Sequence, residues 1–171
     1  MSRTFPEPRS TTADPSRLFL DYLDFYRATI AAKLAGLSDA ELRHSRVPSG
    51  WTPIELLKHL VFMERRWLVW GFEAEAVDAP WGDRGPEDRW QVADDESVDD
   101  LVAALHRGGA RTREIVEASD LAALGGVGGR FAADPEPPTL IWILFHVLQE
   151  YARHAGHLDI VRELADGAVG E

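Results

Sequence analysis

The sequence predicts an all-α protein, a four-helix bundle with long loops between its second and third and its third and fourth long helices. Three observations carry that reading. Four stretches repeat apolar residues at the 3.6-residue spacing of an amphipathic helix. Each stretch opens on an Asp, Ser or Thr suited to capping its first turn. No pair of alternating stretches suggests paired strands, and no internal repeat is present.

Taken in order, residues 1–15 hold three prolines with Ser and Thr and read as a flexible tail, leaving 16–171 as one helical domain. Ser16–Ala35 sets Leu18, Phe19, Tyr22, Phe25, Tyr26 and Ile30 at helical spacing, with Asp14 or Ser16 as cap and Gly36 as stop. Ser38 stands three residues before Glu41, the capping-box spacing of a short helix. Thr52-Pro53-Ile54-Glu55 is the clearest helix start, and the pattern runs to about Trp70 before Gly71. Residues 72–96 are acidic and broken by Pro80, Gly82, Gly85 and Pro86, which predicts a long loop, functional or mobile. A third long helix starts at Ser97 and ends near Ala118, weakened locally by Gly108-Gly109. After a second loop over 119–138, Thr139 caps a final helix that leaves at Asp166-Gly167.

The chain has 171 residues, enough for one real core, and its 45% hydrophobic content marks it as globular. With 29 acidic against 18 basic residues, its net charge of −11 repels phosphate, arguing against nucleic acid and anionic membranes as partners. No apolar run is long enough to span a bilayer, and the first fifteen residues lack the apolar core of a signal peptide. A cytoplasmic protein is expected. The absence of Cys excludes disulfides, a thiolate nucleophile and Cys-ligated zinc.

The final helix holds the chemistry. His146, Glu150, His154 and His157 fall at i, i+4, i+8 and i+11, within an arc of roughly 80° bordering its apolar face. Burying such groups without partners costs several kcal/mol, so something must satisfy them. On the second long helix, His59 lies on or beside the face formed by Leu56, Leu60, Met63, Trp67 and Trp70. Glu150 and His154 share one helical turn, and with His59 they make two imidazoles and one carboxylate. That set suits Zn²⁺, Ni²⁺ or Fe²⁺ with a position left open, although the same three residues could simply hydrogen-bond in the core.

His146 and His157 read as alternative ligands, proton carriers or hydrogen-bonding residues closing the ends of a cavity. Glu64 either orients an Arg or a ligand His, or forms a salt bridge across the bundle. His44 and His106 look solvated. GGVGGR at 125–130 lacks the strand and the Lys-Ser/Thr ending of a phosphate cradle and reads as a flexible loop. The six Trp are expected to pack the bundle and its long loop.

HVLQEYARHAGHLDIVRELADGAVG, together with PSGWTPIELLKHLVFMERRW, resembles the DinB-like superfamily of metal-binding four-helix bundles. More narrowly, it is similar to the mainly actinobacterial "mini-circle" branch, over nearly the whole chain after residue 16. The resemblance implies a metal triad of His59, Glu150 and His154, with Glu150 standing where most relatives have His. The Glu form is similar to the mycothiol-dependent maleylpyruvate isomerases, whose second, C-terminal domain is not seen in this sequence.

The expected function is therefore a divalent-metal-dependent enzyme acting on small molecules, such as an S-transferase using a low-molecular-weight thiol. A non-catalytic metal- or ligand-binding or stress-response module is the rival, and a metal-dependent hydrolase comes third. A homodimer is the expected assembly.

Overall fold

The computed structural model describes residues 7–169. Among them the secondary structure is entirely helical: α1 (Pro15–Leu34), α2 (Asp39–Leu42), α3 (Pro53–Trp67), α4 (Val98–Ala118) and α5 (Leu140–Asp166). Short 3₁₀ turns lie at Pro86–Asp88 and Gly129–Phe131, and a π-helical turn at Leu68–Phe72 continues α3.

The helix boundaries follow local chemistry. Asp14 caps α1, accepting from Arg17 N at 2.8 Å. The helix therefore starts at Pro15, inside the stretch expected to be tail, because a proline at the first helical position lacks only a hydrogen that has no intrahelical partner. The earlier tail residues 1–6 lie outside the described residues. Both predicted capping boxes form, Ser38 with Glu41 and Thr52 with Glu55. α3 ends as an α-helix at Trp67, three residues before the pattern suggested, because the backbone widens into the π turn. Ser97 and Thr139 cap α4 and α5, and Gly167 stops α5 in the left-handed region at φ +76°.

α1 packs against α5 and α4, and α3 packs against α4 and α5. Leu23, Ile30, Ile54, Leu60, Ile143, Leu144 and Val147 meet between them with no exposure. Removing each such side chain from water contributes about 1.5–3 kcal/mol.

A second element of the core is polar. Glu64 of α3, 2% exposed, accepts from Arg27 Nε of α1 (3.1 Å), Thr112 Oγ1 of α4 (2.5 Å) and Tyr151 OH of α5 (2.6 Å). Arg27 Nη2 also donates to its other oxygen, so one carboxylate ties four helices. Glu64 thus makes the salt bridge and touches no candidate ligand. Burial opposes the charge on Arg27, but Glu64 outweighs it and raises its pKa, while burial and Glu64 together raise that of Tyr151. Gly109 is required beside this network, since a Cβ there would lie 2.8 Å from the Arg27 guanidinium.

The long loop after α3 is pinned rather than loose. Arg66 donates to Pro80 O (3.1 Å), Arg43 to Glu96 O (2.7 Å), and Lys58 Nζ to Glu96 Oε2 (2.6 Å). Gln91 N donates to Asp83 O (3.0 Å), folding the loop back beside α3.

Candidate metal centre

His59 faces α5 from the second turn of α3, and Glu150 and His154 face it from one turn of α5. One ligand atom from each lies within 4.8 Å of the others. His154 Nε2 stands 3.1 Å from Glu150 Oε2, and His59 Nε2 stands 3.9 Å from the same oxygen. All three are largely shielded, their side chains 8–20% exposed.

The loop supplies a partner that sequence reasoning missed. Asp83, fully buried, accepts from His59 Nδ1 at 3.0 Å. Its oxygens also accept from Arg66 Nη1 (2.5 Å) and Nη2 (3.1 Å). Burial pushes the Asp83 carboxyl up, but the bonds from His59 and Arg66 outweigh it and hold it ionised below its ordinary value. An ionised carboxylate only accepts, so His59 carries a hydrogen on Nδ1, and the neutral ring has its lone pair on Nε2. That lone pair points toward Glu150 and finds no hydrogen-bond donor among the described residues.

On α5, His157 Nδ1 lies 3.2 Å from His154 Nδ1. His154 Nε2 lies 3.1 Å from Glu150 Oε2, and because an ionised carboxylate only accepts, that ring nitrogen donates there while its Nδ1 accepts from His157. Glu150 is held well below the usual carboxylate range, first by the bond with His154, then by His59. A cation taking the place of the His154 Nε2 hydrogen would be held by Nε2 of both rings and by the carboxylate, with His59 backed by Asp83 and His154 by His157. The donor set therefore fits a divalent ion.

Aromatic rings enclose the centre. Trp90 stacks on His59 with ring centroids 4.2 Å apart and meets His154 edge-on at 5.5 Å. Trp51 lies 6.1 Å from His157. Trp51 and Trp90 also line an open cleft of about 470 Å³ with Glu55, Arg89 and Gln91. His146 sits apart from the three converging residues, its Nε2 3.8 Å from Glu150 Oε1, between Trp67 (4.3 Å) and Trp142 (5.6 Å). Burial lowers the pKa of both His146 and His157, Glu150 only partly opposing it at His146 and the neighbouring His154 and Arg153 adding to it at His157. His44 and His106 are exposed and far from this chemistry in role.

Asp83 gave no distinguishing signal among the many acids of its loop. Arg66 did: seven residues after His59, it lies on the same helical face, where a buried guanidinium demands a carboxylate. Among curated proteins, none matches this chain. The family model described as Mycothiol-S-transferase matches residues 18–167, a span that holds most of α1, all of α2 to α5 and the three converging side chains, and the chain belongs to this DinB-like family.

Proposed function

We propose that this protein is a metal-dependent S-transferase that joins a mycothiol-type thiol to a small electrophile. The observation that carries the reading is the convergence of His59 Nε2, Glu150 Oε2 and His154 Nε2. In this reading α1, α3, α4 and α5 form a DinB-like four-helix bundle whose residues 16–171 act as one domain.

His59, Glu150 and His154 would hold a divalent ion, which would supply Lewis acidity favouring ionisation of a thiol near neutral pH. Asp83 holds the His59 ring in place, and His157 does the same for His154. His146, neutral at pH 7, takes the thiol proton at a ring nitrogen beside Glu150. The thiol sulfur then forms its bond to the electrophilic carbon as the leaving group departs with its electron pair. Because the chain has no Cys, the sulfur comes from the cosubstrate. The cleft shared with Trp51 and Trp90 is large enough for a polar thiol body, with Glu55, Arg89 and Gln91 offering hydrogen bonds.

No helix among the described residues is long and apolar enough to cross a membrane, in keeping with a cytoplasmic enzyme on small molecules. The exposed Phe145, Ile160 and Leu164 of α5 support a homodimer as part of the same proposal.

Metal content and turnover test this together. Protein purified without a His-tag should carry about one divalent ion per chain. His59→Ala and His154→Ala should each empty the site while leaving far-UV dichroism intact. Full occupancy in both variants would exclude the centre. Full occupancy in the parent with no thiol-dependent conversion of an electrophile would favour the non-catalytic module.

A further inference from the structure

The turn over residues 79–91 touches His59 twice. Asp83 accepts from its Nδ1, and Trp90 covers a face of its ring. Both contacts belong to one closed unit. Gly85 N donates to Arg89 O (2.8 Å), Gln91 N donates to Asp83 O (3.0 Å), and Arg84 and Trp90 pair as an antiparallel bridge. Displacing the turn therefore removes both contacts at once.

The backbone of this turn is strained. Where the glycine-rich stretch 125–130, expected to be flexible, docks on the end of α3, glycine takes the left-handed angle. Gly129 has φ +51°, and a Cβ there would lie 2.1 Å from Trp70 O. The turn adopts such angles without glycine, at Ala79 (φ +42°), Glu87 (φ +63°) and Asp88 (φ +61°). Each costs free energy, so contacts from outside the turn must hold it in this form.

Arg66 supplies the strongest of those contacts. Only 3% exposed, it grips both oxygens of Asp83, donates to Pro80 O at 3.1 Å and lies 4.4 Å from the centre of the Trp81 ring. Arg65 adds weaker, exposed bonds to Asp78 O and Ala79 O. Among the described residues Arg66 bonds to none of the three converging side chains, so any effect it has on them passes through Asp83 and the turn.

We propose that Arg66 is a positioning residue: by holding Asp83 and the turn against α3 it fixes the His59 ring as a ligand, so that ion binding at the centre and docking of the turn form one coupled equilibrium. An ion at Nε2 would draw electron density from the ring and make Nδ1–H a stronger donor to Asp83, tightening the turn. A docked turn in return holds the ring ready for the ion, and the two effects are equal by linkage. The coupling presupposes the metal centre proposed above and is independent of S-transfer.

Two measurements on the full chain, with Zn²⁺ as the probe, test the coupling. Hydrogen exchange of peptides spanning 79–91 should slow about ten-fold or more when Zn²⁺ is added to chelator-treated protein, while peptides from the middle of α4 change less than about two-fold. In chelator competition, Zn²⁺ affinity should fall about ten-fold in Arg66→Gln. It should fall about three-fold in Arg66→Lys, which keeps the charge beside Asp83, and so the fold, but loses the fork. Added to Asp83→Asn, Arg66→Gln should lower the affinity less than about two-fold further, since its route to His59 is already weakened. Arg111→Gln, which removes a surface pair with Glu75, should change neither measurement. Exchange in 79–91 indifferent to Zn²⁺, affinity unchanged in both Arg66 variants, or an equal loss with and without Asp83 would each overturn the coupling alone. A parent that binds no Zn²⁺ would remove the metal centre and the coupling together.

Discussion

Glu64 and Glu150 are both carboxylates set into the packed helices, yet they do opposite things. Glu64 accepts from side chains of α1, α4 and α5, so its lone pairs are spent and nothing is left for a ligand. Glu150 has one partner at 3.1 Å and faces two further ring nitrogens at 3.8 and 3.9 Å, beyond hydrogen-bond reach. The first is a rivet and the second a carboxylate with acceptor capacity to spare. An acid whose lone pairs are all filled by donors serves structure, whereas one with lone pairs to spare beside imidazoles is a candidate for holding a cation.

The comparison breaks most visibly at Glu64. Glu64→Ala leaves the Arg27 guanidinium, 2% exposed, without its counter-charge and should cost about 3–5 kcal/mol in urea unfolding. The metal affinity of the molecules that remain folded should change less than about three-fold. Glu64→Gln, which keeps an acceptor, should fall between parent and Ala.

The reverse pattern is expected one step behind the metal centre. Asp83→Asn keeps the shape of the contact but weakens its hold on the His59 tautomer, and should lower Zn²⁺ affinity by about 10–100-fold in chelator competition. Its effect on unfolding should be smaller than that of Glu64→Ala. If the two variants moved stability and metal affinity in the same proportion, the rivet and the candidate centre would be one network.

The smallest effect sharpens the sign of the Asp83 contribution. Its folded pKa is depressed, so its stabilisation is complete above the unfolded carboxyl value of about 3.9 and is lost as pH falls through the folded value. The gap in urea midpoint between parent and Asp83→Asn should therefore narrow below about pH 4. A gap that widened on acidification would reverse the assignment.

Much of this was legible in the sequence because it is local. Thr52-Pro53-Ile54-Glu55 and Thr139 announce their helix starts through groups within four residues, and the i,i+4 spacing puts Glu150 and His154 on one turn. What stayed hidden is set by distant contacts. Asp83 is singled out from its acidic neighbours only by Arg66 and His59, which the loop must fold back to meet. Gly129 looked like flexibility because glycine permits both freedom and close approach, and only Trp70 decides between them. Glu64 was ambiguous until Arg27, Thr112 and Tyr151, on three other helices, came into contact with it.

The stacking of Trp90 on His59 also makes the protein its own optical instrument. An indole whose ring centre is 4.2 Å from that of a candidate ligand sits where a bound ion's unpaired electrons would drain its excited state. A closed-shell ion such as Zn²⁺ has none to offer, whereas Ni²⁺ and high-spin Fe²⁺ do. The brightness of emitted light would therefore carry information about which element is bound there, with no label attached and no residue changed.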